Sequence, residues 1–264
     1  MPPDGNDEYS PGQELLTRIS RLRKNHSVLP FKFANQLFLA DGRYALYWPV
    51  KQTLIVSDLH LGKAHSLNRY GNVLPTFDVA DTLTKLEALI LEYQPIHVIA
   101  LGDSFHDKYS GDALHENDRD KLKSLCGQPR LWTWVLGNHD LNIDRNFPGH
   151  YRDEYVEEGI CFMHEPDLIL GAPLDPESTT ANKQTVTPHF QVFGHFHPKF
   201  SAALKAVKVT GRCFAINHNK LVMPSFGSYT GGLSVAHEVI QKVFEQSIDA
   251  VMLCHNNTIF KLPF

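Results

Sequence analysis

Five short segments set chemistry-bearing side chains where an apolar run ends. VSDLHLGK offers Asp58 and His60, ALGDSFHD offers Asp103, and VLGNHD offers Asn138, His139 and Asp140 in consecutive positions. FMHEP adds His164, and VFGHFHP adds His195 and His197. Each residue set follows a β-branched or apolar stretch, which puts it at the carboxyl edge of a strand or in the loop beyond, where ligands of open α/β sheets gather. Residues two apart on a strand point the same way, so Asp58/His60 and His195/His197 can each aim at one centre or straddle two.

The donor types select a class of ion. Carboxylates, an amide oxygen and imidazoles, with no thiolate among them, suit borderline-to-hard divalent metals such as Mn²⁺, Fe²⁺ or Zn²⁺. Seven candidate ligands exceed what one ion takes and suit two, provided one carboxylate bridges. Two cations about 3.5–4 Å apart can clamp the attacking and leaving oxygens of a phosphoryl transfer. They also lower the pKa of a water held between them. Any one of these residues alone reads more simply as structural: a lone strand-end histidine caps or packs, and GNHD also serves as a turn. The case for a metal centre rests on the five segments jointly.

The elements that would position these residues are legible around them. TLIVSD, HVIALGD and RLWTWVLGNHD read as buried strands, separated by the amphipathic DVADTLTKLEALILEY and by HENDRDKLKSLC. In the first helix Val79, Leu83, Leu86, Leu89 and Ile90 recur at helical spacing. This βαβαβ rhythm predicts right-handed crossovers in a layered α/β sheet. Beyond about residue 155 the pattern turns to strands: GICFMHE, HFQVFGHFH, CFAINHNKLVMPSF and AVMLCHNNTIFKL predict a second, more antiparallel sheet. Upstream, FANQLFLADGRYALYWP reads as two strands about an Asp41-Gly42 turn. SPGQELLTRISRLRKN carries a helix signature, with Ser10 as N-cap, Pro11 in the first turn, and Leu15, Leu16, Ile19 and Leu22 on one face. We therefore expect a tail and appended helix over residues 1–30 and a single domain over 31–264, in which the polar connector 172–189 is a mobile loop.

Composition sets the outer bounds. Of 264 residues, 42% are hydrophobic and 20% charged, as in ordinary globular proteins. No apolar stretch approaches a membrane span, and the acidic opening MPPDGNDEYS lacks the basic and apolar regions of a secretory signal. Four cysteines without ligand-like spacing read as reduced thiols, which points to the cytoplasm. A net charge of −4 argues against a dominant nucleic-acid-binding field, yet Ser178–His237 contains no Asp or Glu and carries Lys183, Lys199, Lys205, Lys208, Arg212 and Lys220. That stretch reads either as a surface balanced by acidic neighbours or as a wall for phosphate groups. Lys63, Arg69, His106 and Tyr229 are second-tier candidates for substrate contacts. Trp48, Trp132 and Trp134 read as core.

The motifs D-x-H, G-D-x-x, G-N-H-D, H and G-H-x-H, in that order over residues 58–197, resemble those of the calcineurin-like metallophosphoesterase superfamily. The resemblance implies a four-layer α/β/β/α sandwich of two mixed β-sheets flanked by helices, with a dinuclear site at their edge. It further implies that Asp58, His60 and His197 hold one metal and Asn138, His164 and His195 the other, with Asp103 bridging. His139 would then be a catalytic imidazole near the leaving group, oriented by Asp140. The flanks ALYWPVKQTLIVSDLHLGKAHSLNRYG, LGDSFHD, FMHEP and LVMPSFGSYTGGLSV are similar to the ligase-associated DNA-damage-response endonucleases of the PdeM type. That similarity implies a metal-dependent phosphodiesterase acting on DNA in repair, with a DNA ligase and a helicase as functional partners. The expected cofactors are two divalent cations, Mn²⁺ first, with Fe²⁺ or Zn²⁺ as alternatives. Two other readings stay open: a phosphohydrolase for a small substrate (cyclic nucleotide, nucleotide sugar or phosphomonoester), and a metal-free scaffold of the same fold.

Overall fold

The computed structural model describes residues 13–69, 71, 75–107, 110, 114–140, 146–166, 190–204, 207–245 and 247–264. The expected loop at 172–189 and the N-cap residues Ser10 and Pro11 lie outside them. Two sheets face each other. The first runs, in spatial order, β1 (Val28–Phe33), β2 (Gln36–Asp41), β3 (Ala45–Trp48), β4 (Thr53–Ser57), β5 (His97–Leu101), β6 (Leu131–Val135) and β7 (His150–Arg152). Its first four strands are antiparallel neighbours, and β4 through β7 are parallel. The second sheet is built from β8 (Glu154–Glu157), β9 (Ile160–Met163), β10 (Phe190–Phe193), β11 (Lys199–Leu204), β12 (Val207–Ile216), β13 (Lys220–Val222), β14 (Ala250–His255) and β15 (Thr258–Pro263). Its spatial order is β15-β14-β12-β13-β10-β9-β8, with β11 paired to β12. Here β9, β10 and β13 are parallel and the remaining pairs antiparallel.

Helices complete four layers. Against the outer face of the first sheet lie α1 (Gln13–Lys24), α3 (Asp78–Tyr93) and α4 (Glu116–Cys126), while the short α2 (Lys63–Arg69) follows β4. Helix α5 (Glu238–Val243) covers the outer face of the second sheet through Ile240 and Val243. Between the sheets, Trp48, Ile55, Ile99, Leu101 and Val135 meet Phe162, Val192, Phe214 and Met252, all buried. Burying each such side chain stabilises the fold by roughly 1.5–3 kcal/mol. The expected α/β/β/α sandwich is the architecture observed, and the three tryptophans are core.

Some local expectations differ. Val79, Leu83, Leu86, Leu89 and Ile90 are buried as their spacing predicts, but Leu16 of α1 is exposed while Leu15, Ile19 and Leu22 pack inward. Helix α1 is held against α3 partly by polar contacts, Arg18 Nη1 donating to the Glu92 carbonyl at 3.0 Å and Arg21 pairing with Glu92 at 2.8 Å. Strand β1 straddles the expected boundary at residue 30, its register with β2 running unbroken through Pro30. A proline is tolerated there since β1 is an edge strand and needs no donor on its outer side. The hairpin aspartate, Asp41, is buried and takes Arg43, Tyr93 and the Arg43 amide as partners. Cys126, Cys161, Cys213 and Cys254 are all buried, and none is in a disulfide.

Candidate metal centre

Parallel strands of both sheets end at one place. Asp58 follows β4 directly, Asp103 lies two residues past β5, and Asn138 three past β6. His164 follows β9 directly, and His195 lies two past β10. Backbone bonds lash these ends together: His60 N–H to the Asp103 carbonyl at 2.9 Å, Gly102 N–H to Val135 O at 2.9 Å, and Gly194 N–H to His164 O at 3.0 Å.

Asp58, His60, Asp103, His195 and His197 all have left-handed backbones, with φ of 53°, 44°, 45°, 67° and 46°. The two D-x-H and H-x-H pairs therefore do not converge through strand alternation, as their spacing suggests. They converge because each lies past its strand, in a loop that turns left-handed at both positions. Asp and His tolerate this region better than most residues, but it costs on the order of 1–3 kcal/mol each and persists where surroundings impose it. Two glycines show how tight those surroundings are. Gly102 has φ +69°, and a Cβ on it would run into the His164 ring; a Cβ on Gly194 would run into the Ser57 hydroxyl and the Asp58 carboxylate.

The side chains form two triads, Asp58/His60/His197 and Asp103/His164/His195, each with its donor atoms within 4.8 Å of one another. In the first, His60 Nε2 lies 3.1 Å from His197 Nε2, which lies 3.2 Å from Asp58 Oδ1. In the second, His164 Nε2 meets Asp103 Oδ2 at 3.3 Å, His195 Nδ1 at 3.1 Å and Asn138 Oδ1 at 3.1 Å. Asp103 Oδ2 also lies 3.9 Å from His60 Nε2, so one carboxylate faces both triads.

These separations fit metal ligation. Two inward-facing imidazole nitrogens repel unless a proton or cation lies between them. With metal–nitrogen bonds of about 2.1 Å, neighbouring ligand atoms stand roughly 3.0–3.4 Å apart. The charges fit as well. Asp58 and Asp103 are buried, and among the described residues neither pairs with a lysine or arginine. Burial alone would raise their pKa values, but the surrounding histidines hold both below the usual carboxylate range. Burial pushes His60 down to about 3, leaving a neutral, ligand-competent ring. Burial acts on His164 the same way, yet the Asp103 hydrogen bond and the charges of Asp58, Asp103 and Asp140 raise it to about 9. A field that draws a proton onto a buried imidazole is one that a divalent cation would satisfy. His164 Nδ1, meanwhile, is buried and among the described residues has no hydrogen-bond partner. The two triads fit a dinuclear metal centre.

The remaining expected residues separate into two groups. His139 sits at the rim, its side chain 40% exposed and its Nε2 3.9 Å from Asp103 Oδ2. His106 stacks on it at 5.5 Å and 18°, and burial, with the nearby Lys63 and His139 charges, pushes His106 down to about 4. Asp140 does not meet the His139 ring in any described contact. Its carboxylate is buried and accepts the N–H groups of Ser104 (3.1 Å), Phe105 (3.2 Å) and Gly137 (3.1 Å). The expected orienting role is thus replaced by a clamp between the loops that carry Asp103 and Asn138. Burial nevertheless pushes Asp140 up to about 6, against the three bonds that lower it.

Lys63 opens α2, half-buried; burial and the Arg212 charge lower its pKa, with Asp103 and Asp78 opposing. Tyr229 lies in a neighbouring pocket rather than among the triads. Arg69 ends α2, and its side chain lies outside the described residues. Two supporting residues escaped the sequence reading. Glu165 Oε1 stands 3.5 Å from His195 Nε2, and Ser57 Oγ donates to Asp58 Oδ2 at 2.5 Å. A carboxylate on the far nitrogen of a ligand histidine fixes the ring, and the acid following His164 in FMHEP was the signal for it.

No protein-family profile matches the chain, and no curated protein does. Among solved structures, the chain is similar to the crystal structure of Pseudomonas putida nuclease MPE. The TM-score is 0.62, with 23% identity over 89% of this chain and 100% of that one. The protein of unknown function AQ665 from Aquifex aeolicus aligns over 55% of this chain and 78% of that one, at 17% identity and a TM-score of 0.31. The first likeness places the chain in the metallophosphoesterase fold, as its motifs implied.

Proposed function

We propose that the chain is a dinuclear-metal-dependent phosphodiesterase acting on DNA, an endonuclease of the repair type. The observation that carries this reading is the pair of triads facing a shared Asp103. Asp58, His60 and His197 would hold one cation; Asn138, His164 and His195 the other. The donor set suits Mn²⁺ first, with Fe²⁺ and Zn²⁺ as alternatives. What bound cations supply is a water of lowered pKa and neutralisation of charge on the phosphoryl oxygens.

The chain's own residues do the rest. His139, on the exposed rim, would protonate the leaving oxygen, a contribution of roughly 10²–10⁴-fold. The His106 ring, neutral and stacked on it, limits its rotation. Asp140 holds the Asp103 and Asn138 loops in register, and Glu165 fixes His195. The strained ligand backbones are consistent with a site preorganised before substrate arrives. The DNA assignment draws on the flanking-motif resemblance, supported by the nuclease name of the structural neighbour. A DNA ligase and a helicase as functional partners follow from the motif resemblance alone. The four thiols suit a reducing compartment such as the cytoplasm.

The net charge of −4 favours a second reading, hydrolysis of a small phosphoester. Metal-depleted protein given back Mn²⁺, Mg²⁺, Fe²⁺ or Zn²⁺ separates the two. Cleavage of single-stranded DNA together with an aryl phosphodiester supports the first; turnover of cyclic nucleotides or nucleotide sugars without DNA cleavage replaces it with the second. A metal content near zero after reconstitution, with no turnover, leaves a scaffold.

A further inference from the structure

Beside the metal centre, on the side of α3, lies a second concavity of ≈ 490 Å³. Two of its lining residues, Lys85 and Arg212, converge on the Phe226 carbonyl, to which Lys85 Nζ donates at 2.5 Å. Arg212 Nη1 lies 3.4 Å from the same oxygen and donates to the Ser225 carbonyl at 2.9 Å. Both cations also lie over the Tyr44 ring, 5.1 Å and 4.7 Å from its centroid. Like charges sharing one acceptor and one ring repel, and burial together with the Arg212 charge holds Lys85 down to about 8. Among the described residues neither cation forms an ion pair. Asp81, the nearest acid to act on Lys85, takes the Ser228 hydroxyl, and Asp78 accepts the Ala64 N–H at 3.0 Å. Both acids line the same pocket and Asp81 acts on both cations, so what the pair offers an anion is the donor hydrogens that Lys85 and Arg212 keep beyond these two carbonyls, the charge-assisted donors a phosphate takes.

Two aromatic rings stand on the same pocket, Phe77 at 73% exposure and Tyr229 at 45%. Exposed rings beside paired cations match a planar base attached to a phosphate. The loop that leads into the pocket residues Ser228 and Tyr229 is bonded to the end of β4 that carries Asp58. Phe226 N–H donates to the Ser57 carbonyl at 2.7 Å and Gly227 N–H to the Asp58 carbonyl at 3.0 Å. Lys63, within electrostatic reach of both Arg212 and Asp103, extends the positive charge between them.

We propose that this pocket is a subsite for a nucleotide flanking the cleaved phosphodiester, with its phosphate at Lys85 and Arg212 and its base on Phe77 and Tyr229. The assignment rests on the reading of the chain as a DNA phosphodiesterase. The test compares Phe77→Ala and Lys85→Met with the wild-type holoenzyme on two substrates. One is a single-stranded oligodeoxynucleotide; the other is bis(4-nitrophenyl) phosphate, which has no flanking nucleotide. The expected result is a KM for the oligonucleotide raised roughly tenfold, the loss of one stacked base or phosphate contact, with the aryl diester hydrolysed as before. Phe77 is largely exposed, so its truncation leaves the fold intact. Unchanged oligonucleotide kinetics in both variants would overturn the subsite while leaving the nuclease reading in place. Equal losses on both substrates would also overturn it, marking the pocket as structural. A wild-type enzyme that hydrolyses the aryl diester and no oligonucleotide would remove the nuclease reading and the subsite with it.

Discussion

Asp140 offers the sharpest separation between two accounts of the G-N-H-D motif. If its carboxylate clamps loops, as its three backbone bonds indicate, Asp140→Asn should disturb stability and metal affinity together. The asparagine oxygen can keep the Ser104 and Gly137 N–H groups, both of which bond Oδ2, while the new NH₂ faces the Phe105 N–H that bonded Oδ1. One buried donor then loses its acceptor, at a cost of about 1–3 kcal/mol. In a chain of this size that lowers Tm by roughly 2–12 °C. The same loosening moves Asp103 and Asn138, and supporting residues of metal sites typically cost 10–100-fold in affinity. Thermal unfolding of metal-depleted protein reads the first effect and calorimetric Mn²⁺ titration the second. Asp140→Ala, which orphans all three donors, should fall further on both. A variant with unchanged Tm and Mn²⁺ affinity but depressed kcat would refute the clamp and restore the view that Asp140 acts on the His139 ring.

Three further outcomes follow from the same geometry. His139→Ala should retain both metals and lose turnover by roughly 10²–10⁴-fold, measured as kcat beside metal content; full activity would remove its assigned role. Gly194→Ala should push the Asp58 carboxylate out of place and weaken metal binding by about 10–100-fold, and unaltered affinity in a calorimetric titration would contradict the crowding seen there. His97, whose Nε2 lies 2.9 Å from Thr133 Oγ1, is held down to about 4 by burial. Its unfolded value is near 6.5, so between the two the unfolded chain binds the extra proton and stability rises with pH. Denaturant titrations should show a shallower rise over that window in His97→Gln than in the wild type; parallel curves would rule the contribution out.

Much of this was readable from the chain. Apolar runs such as TLIVS and HVIAL mark parallel strands buried on both faces, and the strong period of α3 marks the aliphatic part of its inner face, to which Thr82 and Tyr93 also belong. The seven proposed ligands could be named because each sits where such a run stops. What the sequence did not disclose were features set by tertiary context. Strands β7 and β8 are short and polar, and pairing rather than hydrophobic pattern makes them strands. Asp58 and His60 suggested alternation along a strand, whereas left-handed loop geometry aims them. Asp140 beside His139 suggested a side-chain partner, but its acceptors are satisfied by backbone of its own loop and of the loop after the neighbouring strand β5. Phe77 caps α3 and Lys85 lies within it, but nothing local relates either of them to Arg212 on β12.

The central claim is that two cations share Asp103 between the two triads. Crystals grown with Mn²⁺ and measured at the manganese absorption edge test it directly. The account predicts two anomalous peaks about 3.5–4 Å apart, one beside Asp58, His60 and His197, the other beside Asn138, His164 and His195. Peaks elsewhere, or none among these side chains at saturating Mn²⁺, would contradict it.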